Sequence, residues 1–334
     1  MYAHHLLSGH SLLCKSIKAA TAAKYLANAA SFLAHFDPVA HRDARRRSPH
    51  TTSLSPEITA VLSTSRRLES VPDRREPLTL QMQQHLRRRA TRFPVDSITA
   101  ALADWFAVGL LAGFRKSEWC QDKAHHTPGT HALSVLNDPI AITIGDVTFT
   151  DHNGVAVCPS AAGDNDTCIK RVTITWRWQK NGERHVKKGF SRNAGNTSND
   201  VVAPWLNIVA RFRRLFPVST PPSATYGYPI TVYRNGCNVI QNITDTEVEQ
   251  TMQSLATEVY AITDKKDLAK FSCHSIRVGA CCILQAAGAS PEFIKKQLRW
   301  NSDAWMAYTR DLAVLSHQHN AIINAETDRP GGRF

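Results

Sequence analysis

Apolar residues recur with helical spacing over much of the sequence. Between Asp96 and Ala112, the residues Ile98, Leu102 and Trp105 lie three to four positions apart, which places them on one face of a helix. Gly113 follows directly and is suited to end a helix in the left-handed conformation. The segment is therefore predicted to be a core helix that ends at Gly113.

Further helices are predicted from the same spacing and from boundary residues. Ser290 can cap a helix, Pro291 suits a first helical position, and Glu292 complements the positive end of the helix dipole. Pro204 suits a first helical position in the same way. The predicted helices span residues 15 to 36, Leu78 to Thr91, Pro204 to Phe216, Asp245 to Ile262, Cys273 to Ala287, Pro291 to Leu298, and Asp303 to about Asn324.

Strand patterns occupy the middle of the chain, at Ile140 to Ile144, Val147 to Thr150 and Val172 to Trp178. In the last of these, apolar and polar residues alternate, as in a half-buried strand. It is followed by Lys180, and then by an Asn-Gly pair, which is the strongest short signal for a hairpin turn. A β-hairpin with Lys180 at its tip is predicted, and the fold class is α+β, mainly α, with a small antiparallel sheet or hairpin.

Composition narrows the class of partner. The chain has 334 residues, 43% of them hydrophobic, which is enough for one large domain and a smaller piece. Lys and Arg number 40 against 28 Asp and Glu, for a net charge of +12, and this excess favours a polyanion such as nucleic acid. An Arg-dense stretch between Arg42 and Arg92 could follow phosphates, although Arg45, Arg46 and Arg47 are better explained as a solvated or nuclear-targeting run.

Several classes of site and segment are not indicated. The eight cysteines include no CxxC pair and no metal-ligand spacing, so neither a zinc site nor a disulfide framework is predicted, and a reducing compartment is the default. The apolar runs are all shorter than a membrane-spanning helix requires, and we predict no membrane segment.

Four features follow one another in a fixed order: Arg115 in Gly-Phe-Arg-Lys-Ser-Glu, Lys180 on the predicted hairpin, the pair His274 and Arg277 in His-Ser-Ile-Arg, and Leu-Arg-Trp ending at Trp300, followed by Tyr308. This order resembles the tyrosine recombinase (phage integrase) superfamily over roughly residues 77 to 324. The sequences of residues 179–182 and 300–305 are similar to those of the crypton-type recombinases of eukaryotic mobile elements.

The resemblance implies a role for each residue. Arg115 and Arg277 would clamp the scissile phosphate, because a guanidinium stays charged and matches phosphate oxygens with a planar fork of donors. His274 would contact the phosphate or help to deprotonate the nucleophile, and Trp300 would offer its indole N–H. Lys180 would protonate the leaving 5′ oxygen. The resemblance implies no metal and no nucleotide cofactor.

Tyr308 would be the nucleophile that forms a covalent phosphotyrosine, on a C-terminal helix. It is the single tyrosine that follows the His-x-x-Arg pair, whereas Tyr233 and Tyr260 precede it. The assignment of Lys180 rests on its turn position, because Lys170, Lys187 and Lys188 belong to the same hairpin region.

The resemblance also implies a domain organisation and partners. Residues 1–37 would be a partial helical core-binding domain, 38–76 an Arg- and Pro-rich linker, 77–326 the catalytic domain of tyrosine recombinase fold, and 327–334 a tail. The expected partner is double-stranded DNA, bound by a homotetramer during strand exchange, with no membrane and no small-molecule substrate. The protein would be intracellular and DNA-associated, in the nucleus if its source is eukaryotic.

Two other functions stay open at this point. A type IB topoisomerase uses a similar set of residues to nick and reseal one strand. A truncated or domesticated element protein would only bind DNA, for which the helix pair between Cys273 and Leu298 and the basic charge would serve equally well. A metal-dependent nuclease would need clustered carboxylates, and the sequence has none.

Overall fold

The computed structural model describes residues 18–36, 56–68, 74–120, 141–159, 168–178, 183–192, 200–217, 228–300 and residue 306. The chain divides into two units, Met1–Asp73 and Arg74–Phe334. The predicted fold class is confirmed, since the described elements are mainly helices accompanied by small antiparallel sheets. None of the described helices is long and apolar enough to span a membrane.

The first unit contains two helices, α1 (Ala19–Phe36) and α2 (Pro56–Leu68). They pack through a small cluster in which Ala19 and Ala22 are buried with Leu62. Helix α2 lies within the segment interpreted as a linker and was not predicted. It forms because Ile58 and Leu62 are one turn apart and cover the alanine face of α1.

The second unit is built around α4 (Ile98–Ala112), whose residues are buried on nearly every side. Its other helices are α3 (Leu80–Ala90), α5 (Lys116–Trp119), α6 (Val202–Leu215), α7 (Asp245–Tyr260), α8 (Lys265–Leu268), α9 (Ser275–Ala286) and α10 (Pro291–Leu298). Helices α3, α6 and α9 pack directly against α4. Most of these helices begin at a predicted kind of cap: Ser97, Thr244 and Ser290 each accept a backbone N–H of the first turn.

A four-stranded antiparallel sheet has the strand order β2–β1–β3–β4. Its strands are β1 (Val147–Thr150), β2 (Ala156–Val157), β3 (Arg171–Trp178) and β4 (Arg184–Ser191). The β3–β4 pair confirms the predicted hairpin, with Ile174 opposite Lys188 and Trp176 opposite Val186. Strands β5 (Val232–Arg234) and β6 (Ile240–Asn242) form a separate two-stranded sheet.

One predicted strand and one predicted helix start are wrong. The strand expected over Ile140 to Ile144 is replaced, in its described part, by a single bridge at Thr143 and a short 3-10 helix over Ile144–Asp146. The carboxylate of Asp146 accepts two hydrogen bonds from Thr143, one from its backbone N–H at 2.8 Å and one from its side-chain hydroxyl at 3.0 Å. These bonds favour a turn. Pro204 is the third helical residue, because α6 begins at Val202. The helix expected from Asp303 to Asn324 lies outside the described residues.

Candidate active site

Arg115 is placed by the end of helix α4. Gly113 closes that helix in the left-handed region, with φ 58°, and a Cβ there would come within 2.4 Å of the Leu298 side chain. The position therefore requires glycine both for its conformation and for its close contact. The chain then turns into the short helix α5, of which Arg115 is the N-cap residue.

Arg277 lies in the first turn of helix α9 and is buried, with 2% of its surface exposed. Its guanidinium donates to the carbonyl oxygen of Gly113 at 2.5 Å and to that of Leu298. The same group stacks over the ring of Trp300, with its carbon 4.4 Å from the ring centroid, in a cation–π arrangement. A buried guanidinium is thus held by carbonyl oxygens from two segments and by an aromatic face.

Arg115 and Arg277 donate hydrogen bonds to the same stretch of backbone, residues 298 and 299. Arg115 donates through Nη2 to the carbonyl oxygen of Arg299 at 2.9 Å, next to the Leu298 carbonyl that accepts from Arg277. The turn that follows helix α10 is therefore tied to both guanidiniums. Two positive groups that are far apart in sequence therefore donate to consecutive carbonyl oxygens of this turn.

A buried carboxylate joins a third arginine to the pair. Glu118, whose side chain is 2% exposed, pairs with Arg115 at 3.0 Å and with Arg299 at 2.7 Å. Arg299 also donates to the carbonyl oxygen of Ala112 at 3.0 Å and lies over the ring of Trp176, 4.0 Å from its centroid. Burial and Arg115 lower the pKa of Arg299, while Glu118 acts in the opposite direction.

His274 immediately precedes helix α9, three residues before Arg277. Burial lowers its pKa to about 4, and the positive charges of Arg277 and Arg75 add to this effect. The imidazole is therefore neutral at pH 7. A neutral imidazole has one ring nitrogen that can accept a proton.

Trp300 follows helix α10 and is partly buried. It packs against a small apolar cluster that includes Ala280, Ile294 and Leu298, and its backbone N–H donates to the Lys295 carbonyl at 2.9 Å. Trp300 therefore makes two kinds of contact. It packs the turn against the apolar cluster, and its ring faces the guanidinium of Arg277.

Lys188, on strand β4, reaches the C-terminal end of helix α10. Its ammonium nitrogen contacts the carbonyl oxygens of Lys296, at 2.7 Å, and of Gln297, and the side-chain oxygen of Gln297 at 3.1 Å. Burial, followed by the nearby charges of Arg299, Lys296 and Arg277, lowers its pKa to about 7. The other lysines of the hairpin that the structure describes, Lys170 and Lys187, are exposed.

The structure brings Arg115, Arg277 and Trp300 together, and His274 is close enough to Arg277 for the guanidinium to lower its pKa. Lys180 and Tyr308 lie outside the described residues.

Sequence reasoning missed the roles of Glu118 and Arg299. The pair Arg115 and Glu118 was visible as a three-residue spacing, but no sequence signal indicates that Arg299 shares the carboxylate. Among the described residues, no three His, Cys, Asp or Glu side chains gather in a way that could hold a metal ion.

Comparison with known proteins gives structural matches only. No protein-family model and no curated protein matches the sequence. The integrase of transposon Tn1549 in complex with circular intermediate DNA is similar over 91% of this chain and 85% of its own, with 14% identity and a TM-score of 0.41. The XerH site-specific recombinase bound to palindromic difH substrate is similar over 92% of this chain and 73% of its own, with 11% identity and a TM-score of 0.41. No residue role follows from similarity at this level.

Proposed function

We propose that this chain is a DNA breaking and rejoining enzyme, a tyrosine-type site-specific recombinase in which Tyr308 is the nucleophile. The observation that carries the proposal is the meeting of Arg115 and Arg277 at one turn of backbone, over Leu298 and Arg299. A guanidinium matches the oxygens of a phosphodiester with its planar fork of donors, and these two are tied to consecutive residues of the turn. The neutral His274 and the indole of Trp300 supply the other two groups that such a site needs.

The reaction is a substitution at phosphorus that needs no cofactor. The Tyr308 oxygen forms a bond to phosphorus and gives up its proton, which the neutral His274 passes on to water, because burial and Arg277 disfavour a lasting imidazolium. The bond from phosphorus to the 5′ oxygen breaks, and Lys180 supplies a proton to that oxygen. A 3′-phosphotyrosine and a free 5′ hydroxyl result, and the reverse steps with another 5′ hydroxyl rejoin the strand.

Positioning and charge account for most of the catalysis in this proposal. Negative charge grows on the phosphate oxygens as the new bond forms, and groups that are fixed before the reaction stabilise it without reorganisation. Arg277 is fixed by two carbonyl oxygens and Trp300, and Arg115 by Glu118 and the Arg299 carbonyl. Lysine at either position would lose the planar fork of donors.

We further propose the organisation and partners that belong to this function. Residues 77–326 would form the catalytic domain, residues 1–37 part of a DNA-clamping domain, and 38–76 the connection between them. The substrate would be double-stranded DNA, with four copies of the chain in the complex that exchanges strands.

The test is to trap the covalent adduct. The substrate is a pool of duplexes with randomised sequence and a nick at one fixed position. Cleavage a few nucleotides from the nick releases a short fragment, so that the protein stays attached. We expect an adduct that resists denaturant with the unchanged chain and none with Tyr308→Phe. Tyr260→Phe is the matched control, because the exposed Tyr260 contacts only Thr79 and Gln81 through hydrogen bonds of its hydroxyl in the described structure, and it should retain the adduct.

The outcomes separate the competing functions. An adduct that survives Tyr308→Phe would contradict the assignment of the nucleophile. DNA retention at low salt without any adduct would favour the protein that only binds DNA. An adduct accompanied by relaxation of supercoiled plasmid, but by no joining of two separate sites, would favour the topoisomerase.

A further inference from the structure

Arg299 adopts a backbone conformation that is unfavourable for its type. It ends helix α10 with φ 58° and ψ 51°, in the left-handed region that glycine occupies most easily at helix ends. Its side chain is nevertheless drawn into the protein and is only 3% exposed. A residue held in this conformation needs compensating contacts, and such strain often accompanies a functional constraint.

The contacts of Arg299 lead to Arg115. Arg299 and Arg115 bind opposite oxygens of Glu118, at 2.7 and 3.0 Å, while the Arg299 carbonyl accepts from Arg115 at 2.9 Å. Arg299 therefore contacts Arg115 in two ways. Its backbone carbonyl accepts directly from Arg115, and its side chain is linked to Arg115 through the shared carboxylate of Glu118.

The three charges have a simple consequence. Glu118 is buried and negative and lies between two positive groups. With Arg299 present, the trio carries one net positive charge. Without Arg299, the carboxylate would neutralise Arg115 alone, and the remaining pair would present no net charge to a bound phosphate.

We propose that Arg299 is a positioning residue, which neutralises Glu118 so that the cluster around Arg115 keeps a net positive charge for the phosphate. This inference rests on the proposed function, because it assumes that Arg115 binds the phosphate. It assigns to the Leu-Arg-Trp motif a part in the site beyond that of Trp300.

The test uses the removal and the restoration of charge. Arg299→Gly removes the guanidinium and suits the backbone conformation, so the fold of the turn is retained. We expect the rate of adduct formation on the nicked pool to fall by about tenfold or more, as when one preorganised charged donor is lost. The double variant Arg299→Gly with Glu118→Gln restores the net charge and keeps an amide oxygen for Arg115, and it should recover to within about threefold of the unchanged chain.

Ala261→Gly is the matched control for backbone strain. Ala261 also has a left-handed conformation, with φ 55°, and its methyl group can lose no hydrogen bond or ion pair. This variant should form the adduct at the unchanged rate. A loss of adduct in Ala261→Gly equal to that in Arg299→Gly would overturn the role of charge.

A second readout separates this inference from the proposed function. Inorganic phosphate should raise the Tm of the unchanged chain and of the double variant, but not that of Arg299→Gly or Arg115→Ala. If the unchanged chain forms no adduct while this pattern of Tm holds, the proposed function falls and the inference stands. If the double variant is no better than Arg299→Gly in both readouts, Arg299 is only structural and the inference is overturned.

Discussion

His274 lies near positive charges and is partly buried, and both conditions disfavour its protonated form. Its pKa falls from 6.5 to about 4 through burial, Arg277 and Arg75. Above pH 6.5 the imidazole is neutral in the folded and in the unfolded chain. As the pH falls below 6.5, the unfolded chain binds the proton first, so stability is lost until the folded pKa is reached.

The first prediction concerns this pH range. Each unit of pKa difference corresponds to roughly 1.4 kcal/mol, so His274 should account for at most about 3 kcal/mol of the stability lost between pH 6.5 and pH 4. In His274→Gln that contribution should disappear, which the free energy of unfolding in urea at the two pH values will measure. His152→Gln, at an exposed turn position, is the control and should keep the pH dependence of the unchanged chain. Equal pH dependence in all three proteins would contradict a neutral, partly buried His274.

At the scale of elements, the start of helix α9 is set by its contact with the chain before helix α3. Leu78 donates its backbone N–H to the Ser275 carbonyl at 2.9 Å. A Cβ on Gly279 would lie 2.2 Å from the Leu78 carbonyl oxygen and 3.0 Å from the Leu110 side chain. Because this neighbour is backbone, a side chain at Gly279 forces α9 away from Leu78. Helix α9 carries Arg277, so the packing at Gly279 also fixes the site.

Gly279→Ala should therefore be destabilising. Alanine favours a helix over glycine by about 1 kcal/mol, but overpacking typically costs about 1–3 kcal/mol and the clash here is with backbone. We expect a net loss of roughly 2 kcal/mol in the free energy of unfolding. Gly236→Ala is the control, because a Cβ at Gly236 meets nothing within 4 Å. A Gly279→Ala variant as stable as the unchanged chain would show that α9 can shift freely at this contact.

The elements that the sequence predicts well are those with local signals. Helix α10 begins at Pro291 behind the Ser290 cap and ends at Leu298, as predicted. The alternation in β3 predicts a strand and the Asn-Gly pair after it predicts a hairpin, and the register of β3 and β4 confirms both. Strands β5 and β6, with three residues each, are too short for an alternating pattern to be distinguished. The 3-10 helix at Ile144 depends on a side-chain contact of Asp146 that apolar spacing does not reveal.

In the candidate site, too, the features with local sequence signals could be predicted and the contacts between distant residues could not. The order of Arg115, His274, Arg277 and Trp300 is visible in the sequence because each belongs to a short motif. The bond between Glu118 and Arg299 joins residues 181 positions apart, and nothing local to either residue predicts it. The left-handed conformation of Arg299 is likewise set by tertiary contacts, since the local preference at a helix end is for glycine.

At the scale of the whole molecule, the net charge of +12 sets the expected mode of DNA binding. Lys and Arg that neutralise phosphates release counterions, so affinity falls with salt in proportion to the number of contacts. The last turn of helix α3 carries Arg87, Arg88 and Arg89, and Arg89 is paired with Glu258 at 2.9 Å. Not all of the positive charge is therefore available to phosphates. The salt dependence of the affinity measures how many Lys and Arg side chains contact phosphates.

The last prediction uses this dependence to separate Arg115 from the basic run before helix α2. Log affinity for duplex DNA falls as log salt rises, with a negative slope. Arg115→Gln should reduce the magnitude of this slope by about one, because one phosphate contact is lost. Replacing Arg45, Arg46 and Arg47 together with Gln should leave the slope unchanged, since we interpret this run as solvated. A slope that falls by about three in the triple variant would instead assign these residues to the DNA-binding surface. A slope unaffected by Arg115→Gln would contradict the phosphate clamp, because a contact with phosphate cannot be lost without a change in counterion release.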